Sequence, residues 1–210
     1  MAKKLESTLT NMVLVLTGVA VIMGGLLAYV NHLTEGPIND QKAKALADGI
    51  QSVMCVDGLK VAKTDTVRQN DAKGKELTYI IYQTQDAQGK DLGAAVESTT
   101  GGFGGDLKVL VGFDTEGKIL GYTLLEHAET PGLGAKADKW FQKGEKGDII
   151  GKDPKEPLTV SKDGGKVDAI TASTITSRAF LLAVNNAYNA YKATPAAEAA
   201  TGATKQVKED

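Results

Sequence analysis

The chain has 210 residues, enough for one ordinary domain with a single core plus some additional segments. Its 24 Lys and Arg stand against 26 Asp and Glu, a formal net charge of −2, and Arg68 and Arg178 are the only arginines; this argues against a nucleic-acid partner, which calls for a basic stripe with guanidinium forks. With one cysteine, Cys55, and two histidines, His32 and His127, the chain cannot by itself build a Cys-rich iron–sulfur site, a Cys2His2 zinc site or an internal disulfide, so redox chemistry would need an organic cofactor.

From Ser7 to His32 there is no Asp, Glu, Lys or Arg, and at helical rise this run exceeds the roughly 30 Å of hydrocarbon in a bilayer. Residues 1–33 are therefore expected to form a membrane anchor, retained because the run ends without a small-x-small cleavage pattern. Lys3 and Lys4 precede the span and Glu35 and Asp40 follow it. The positive-inside rule then puts the amino terminus in the cytoplasm and the rest outside: a single-pass protein of a bacterial inner membrane with a periplasmic carboxy-terminal domain. After an expected turn at Glu35-Gly36-Pro37, residues 34–56 read as an amphipathic stalk helix from Ile38 to Met54, with Cys55 as a buried free thiol at its end.

A globular domain is expected over residues 57–192. It opens with strand-like runs at Leu77–Tyr82, Ala94–Val96, Leu107–Phe113 and Ile119–Leu125, the last two forming a hairpin across Asp114-Thr115-Glu116-Gly117. A short helix around Asp138–Gln142 holds Trp140, and a longer helix from Thr174 to Tyr191 carries Ile175, Ala179, Leu182, Ala183 and Ala190 down one face. This order of elements predicts an α+β fold with an antiparallel sheet and flanking helices. Residues 193–210, rich in alanine and threonine, read as a disordered tail.

Several chemical signatures fail. Gly132-Leu133-Gly134-Ala135-Lys136-Ala137 fits a loose dinucleotide pattern but follows Pro131 and has no parallel strand to complete the unit. Gly101-Gly102-Phe103-Gly104-Gly105 lacks the Lys-Ser/Thr of a P-loop, and His127, at a strand end, has no nucleophile partner and reads as structural. The informative stretch is Asp168-Ala169-Ile170-Thr171-Ala172-Ser173-Thr174-Ile175-Thr176-Ser177, where hydroxyls crowd a helix start. Unsatisfied N–H groups, the positive end of the macrodipole and the hydroxyls of Thr171, Ser173, Thr176 and Ser177 make an anion site. A plain helix cap needs one such residue, and the residues alone leave both readings open.

The run Asp168–Ser177 resembles the flavinylation motif of FMN-binding domains, Asp-x-x-Ser/Thr-Gly-Ala-Thr-x-Thr/Ser-Ser, with Ala172 in place of its glycine and Ser173 in place of its alanine. The resemblance extends to Gly101–Gly112, Gly117–Gly121 and His127-Ala128-Glu129-Thr130-Pro131-Gly132-Leu133-Gly134. With the anchor, the chain is similar to the G-subunit family of Rnf-type ion-translocating complexes, related to the C subunit of the sodium-pumping NADH:quinone reductase. The resemblance implies FMN bound covalently through a phosphoester to Thr174, placed there by a flavin transferase. Asp168, Thr171, Ser173, Ile175, Thr176 and Ser177 would surround the phosphate, and Glu129, Thr130, Pro131, Gly132, Leu133 and Gly134 would wall the isoalloxazine. A literal Thr-Gly-Ala-Thr at Thr201–Thr204 lacks the aspartate and the helix and is set aside. The implied function is an electron relay among the membrane and redox subunits of a ferredoxin:NAD oxidoreductase that moves ions, without catalysis by this chain alone. The alternatives are a flavin reductase of a diffusible extracytoplasmic substrate and a flavin-free anchored interaction module.

Overall fold

The computed structural model describes residues 8–70 and 76–193, so the segment after Ala193, with Thr201–Thr204, lies outside the described residues, as do Lys3 and Lys4. The chain divides into two compact units between Ala45 and Leu46. Helix α1 (Leu9–Met54) runs unbroken through both and contains Pro37, where the sequence predicts a turn and a fresh helix. A proline inside a helix removes one N–H and crowds the carbonyl four residues back, which kinks a helix without ending it when good helix formers follow. Gln41 to Leu46 supply them.

In the first unit the large apolar side chains from Leu9 to Leu33 are all solvent-exposed, including Leu14, Val15, Ile22 and Leu27. α1 is long and apolar enough to cross a membrane.

The second unit begins with the last turns of α1. Cys55 ends the helix at φ 54°, the left-handed position that commonly closes helices. Its thiol is exposed rather than buried, lying 3.6 Å from the Ser52 carbonyl and 3.7 Å from the Leu120 carbonyl. Five antiparallel strands follow in sequence order: β1 (Lys60–Asn70), β2 (Glu76–Gln85), β3 (Asp91–Gly101), β4 (Asp106–Phe113) and β5 (Ile119–His127). The β4–β5 turn is fixed by Asp114, whose Oδ1 accepts from the amides of Glu116, Gly117 and Lys118 at 2.8–2.9 Å. β1 is absent from the sequence expectation because its residues, KVAKTDTVRQN, lack an apolar face; it is an edge strand whose side chains mostly face solvent.

Alternation along the strands gives the sheet two apolar faces. One carries Ile81, Val96, Val109, Val111 and Phe113 and is covered by α3 (Thr174–Lys192), with Phe180 stacked on Phe141 at 4.3 Å between centroids. The other carries Ala95 and Leu110, beneath Ile50, Val53 and Met54 of α1. There Gly112 and Gly121 let the Val53 backbone lie directly on the sheet, since a Cβ at either position would run into it. α3 buries Thr176, Phe180, Ala183, Val184 and Ala187, whereas Ile175 and Leu182, expected inward, are 54% and 53% exposed. Ile175, Arg178 and Leu182 fall at i, i+3 and i+7 and share the solvent side, because the Thr176–Phe180–Ala183 stripe sets which side meets the sheet.

Candidate functional site

The site is built where the segment before α3 folds back on the helix start. Trp140, in the short helix α2 (Ala137–Trp140), donates its indole N–H to the Asp168 carbonyl at 2.8 Å. The Ile170 amide donates to Ser177 Oγ at 2.9 Å, and Ser177 Oγ donates to the Ser173 carbonyl at 2.9 Å. These bonds bend the chain so sharply that Ala172, where the flavinylation motif has glycine, sits at φ 61°.

Ser173 is the N-cap of α3 but makes no side-chain cap bond. Its hydroxyl instead donates to Thr176 Oγ1 at 3.0 Å, and Thr176 donates to Glu129 Oε2 at 2.7 Å. The other oxygen of Glu129 accepts from the amides of Phe103 at 2.7 Å and Gly104 at 3.3 Å. Glu129 is 6% exposed, and its carboxyl is enclosed so closely by Gly102 and Gly134 that neither position has room for a Cβ. The Gly101–Gly105 segment, which reads as a flexible turn in sequence, is thereby tied to the start of α3. His127 Nδ1 accepts from the Glu129 amide at 3.3 Å and holds the entry to this loop.

The predicted residues therefore separate into two groups. Glu129, Gly134, Thr176 and Ser177 are buried, and the three side chains among them that carry polar groups are engaged inside the protein, so they brace the site rather than line it. Asp168, Thr171, Ile175, Thr130, Pro131, Gly132 and Leu133 are exposed, and Ser173 and Thr174 are half-buried. The turn Thr130–Leu133 closes on itself through the Leu133 amide and the Thr130 carbonyl, 3.1 Å apart, with Gly132 at φ 77°. Beside it Pro131, Gly132, Lys136, Asp138 and Trp140 line an open cleft of about 420 Å³.

Thr174 Oγ1 accepts from Lys162 Nζ at 3.1 Å. Lys162 belongs to a single 3₁₀ turn, Ser161–Asp163, and nothing in its sequence neighbourhood marks it as part of the site. Its neighbour Asp163 takes Arg178 through two bonds of 2.7 Å, and this guanidinium holds the Asp163 carboxyl below the usual carboxylate range.

These residues fit a phosphate-bearing flat ligand. The first-turn amides of α3 have no side-chain cap, a lysine ammonium reaches the Thr174 hydroxyl, and the open cleft lies against Trp140, the residue bonded to the motif at Asp168.

Residues 102–189 match the FMN-binding domain family, a span that starts at the glycine loop and ends inside α3. The chain is 37% identical over 170 residues to the G subunit of the ion-translocating oxidoreductase complex of Yersinia pestis, covering 78% of this chain and 80% of that protein. It is 34% identical over 175 residues to the protein of the same name from Shewanella baltica, with coverages of 80% and 82%. The crystal structure of Shewanella oneidensis NqrC shares the fold at a TM-score of 0.53 and 18% identity, covering 74% of this chain and 100% of that one.

Proposed function

We propose a function from one premise: this chain belongs to the family of G subunits of ion-translocating oxidoreductase complexes. It is an electron-transfer flavoprotein component of such a complex, carrying FMN as a phosphoester on Thr174 and passing electrons between partner subunits. The observation that carries the Thr174 assignment is its hydroxyl: half-buried, at the uncapped start of α3, and in contact with an ammonium rather than tied up in the core. Thr176 and Ser177, the later hydroxyls of the motif, are fully buried and turned to internal bonds.

In the attachment reaction, the Thr174 oxygen bonds to the FMN-side phosphorus of FAD, and the phosphoanhydride bond breaks. AMP leaves with the bridging oxygen, and the hydroxyl proton passes to solvent. No electron changes hands, and a flavin transferase supplies the catalytic groups. The resulting phosphodiester keeps one negative charge, which the first-turn amides of α3 stabilise. Bound FMN supplies one-electron transfer through its isoalloxazine ring. The exposed turn Thr130–Leu133 and the cleft against Trp140 offer that ring a wall in which Pro131 fixes the backbone and Gly132 lets it approach.

α1 anchors the chain in a bacterial inner membrane, with the second unit on the periplasmic side, consistent with the exposed apolar surface from Leu9 to Leu33. The test is the intact mass of the full chain co-expressed with a flavin transferase, beside Thr174→Ala and Thr204→Ala. A gain equal to FMN less one water, lost only in Thr174→Ala, is expected. A gain that survives in Thr174→Ala overturns the assignment.

A further inference from the structure

We propose that Lys162 is the counter-ion of the phosphodiester and the residue that selects Thr174, rather than Thr171, as the modified hydroxyl; this deepens the Thr174 reading and rests on it. Four observations converge. Lys162 Nζ lies 3.1 Å from Thr174 Oγ1. Asp163, the carboxylate next to it in the chain, is taken by both nitrogens of the Arg178 fork, and no ion pair of Lys162 occurs among the described residues. Ser173, Thr176 and Ser177 are engaged in hydrogen bonds of their own. That leaves Thr171 and Thr174 as accessible hydroxyls in the motif, and only Thr174 has a cation on it.

The charge balance follows from these contacts. Before modification the ammonium donates to the hydroxyl oxygen, drawing electron density from it and stabilising the oxygen as its proton departs. It also offers a positive point to the incoming phosphoryl group. After modification that oxygen becomes the ester bridge and the non-bridging oxygens are its nearest neighbours, so a small rotation of the lysine side chain carries Nζ onto a full anionic charge. Arg178 cannot take this role while its fork is closed on Asp163. A point charge on a flexible stem suits the task, because the lysine must follow the oxygen through the reaction.

The experiment uses the purified full chain in detergent, incubated with a flavin transferase and FAD, with mass gain followed over time. The variants are Lys162→Met, Lys162→Arg and Thr174→Ala, with Lys166→Met as a control at another exposed lysine. Loss of one charge-assisted bond to phosphate predicts an initial rate about tenfold lower for Lys162→Met, with most of the rate restored in Lys162→Arg. The rate of the wild type falls with added salt, and that of Lys162→Met falls less. Unchanged thermal unfolding of apo Lys162→Met separates this effect from damage to the fold, since the side chain is exposed. Equal rates for Lys162→Met and wild type, both modified at Thr174, overturn the inference and leave the Thr174 reading standing. Mass gain in Thr174→Ala, or none in the wild type with a transferase active on another acceptor, overturns both.

Discussion

Glu129 and Thr176 lie 47 residues apart in the chain and meet through a 2.7 Å hydrogen bond inside the domain. The first follows the last strand of the sheet and the second sits in the first turn of α3, so this bond ties the loop after β5 to the start of the helix that carries Thr174. The Phe103 and Gly104 amides on the opposite oxygen bring a third segment, the glycine loop, into the same junction.

Glu129→Ala leaves two amides and one hydroxyl without their acceptor in a largely enclosed space, and is expected to lower stability by about 2–4 kcal/mol. Glu129→Gln keeps the volume but sets an amide donor where an acceptor is needed. Thr176 already receives the Ser173 hydroxyl and would have to receive a second donor, so a loss of about 1–2 kcal/mol is expected. Urea unfolding of the three proteins measures both, and a Gln variant as weak as Ala would show that charge rather than bond direction matters most.

Ala172→Gly should stabilise the domain, against the usual direction of that substitution. At φ 61° the alanine Cβ crowds its own carbonyl, a strain of roughly 1 kcal/mol that glycine does not have. An increase of that size in the free energy of unfolding checks it, and a decrease would mean the extra freedom of the unfolded glycine chain outweighs the relief.

Two tyrosines make the fold sensitive to alkali. Burial, with Asp114 nearby, pushes Tyr191 up to about 12, and burial raises Tyr122 further while its hydroxyl donates to the Ala137 carbonyl at 2.7 Å. An unfolded tyrosine ionises near 10. Between pH 10 and 12 the unfolded chain therefore gives up protons that the folded domain retains. The stabilisation is complete below pH 10; the Tyr191 share is lost as pH rises through about 12, and the Tyr122 share goes on falling above that. Unfolding free energies at pH 9 and pH 11.5 should show the decline, and Tyr191→Phe should make it shallower.

Deleting residues 1–45 should leave the second unit folded, because the core residues of α1 begin beyond that point. Deleting through residue 56 removes Ile50, Val53 and Met54 from the face carrying Ala95 and Leu110, at about 1.5–3 kcal/mol for each side chain. Thermal unfolding of both truncations compares them, and equal midpoints would show that the end of α1 contributes little to the core.

Local patterns in the sequence suffice for much of this architecture. The Asp114–Gly117 turn is self-contained, so the β4–β5 hairpin is legible, and the hydroxyl-rich start of α3 marks that helix to the residue. β1 is not legible, because the inward side of this edge strand, Asp65, Val67 and Gln69, is only half-buried and mostly polar, which leaves no apolar alternation to read. Pro37 misleads because a breaker residue signals a tendency that a long helix overrides. In the site, hydroxyls suited to a phosphate look alike by residue type, and it is the motif resemblance that singles out Thr174; packing adds that Thr176 and Ser177 are turned inward. Lys162 escapes notice for a related reason: its contact depends on how the Ser161–Asp163 turn folds toward α3, and no spacing rule encodes that approach.

The strand order of the sheet matches the order of the sequence, so each strand can pair with its predecessor as the chain emerges. α3 comes last, and the Glu129–Thr176 bond can close only after the sheet has delivered its carboxyl. On the Thr174 reading, the acceptor takes its final geometry at the end of assembly, and a chain stalled earlier does not present it in this form.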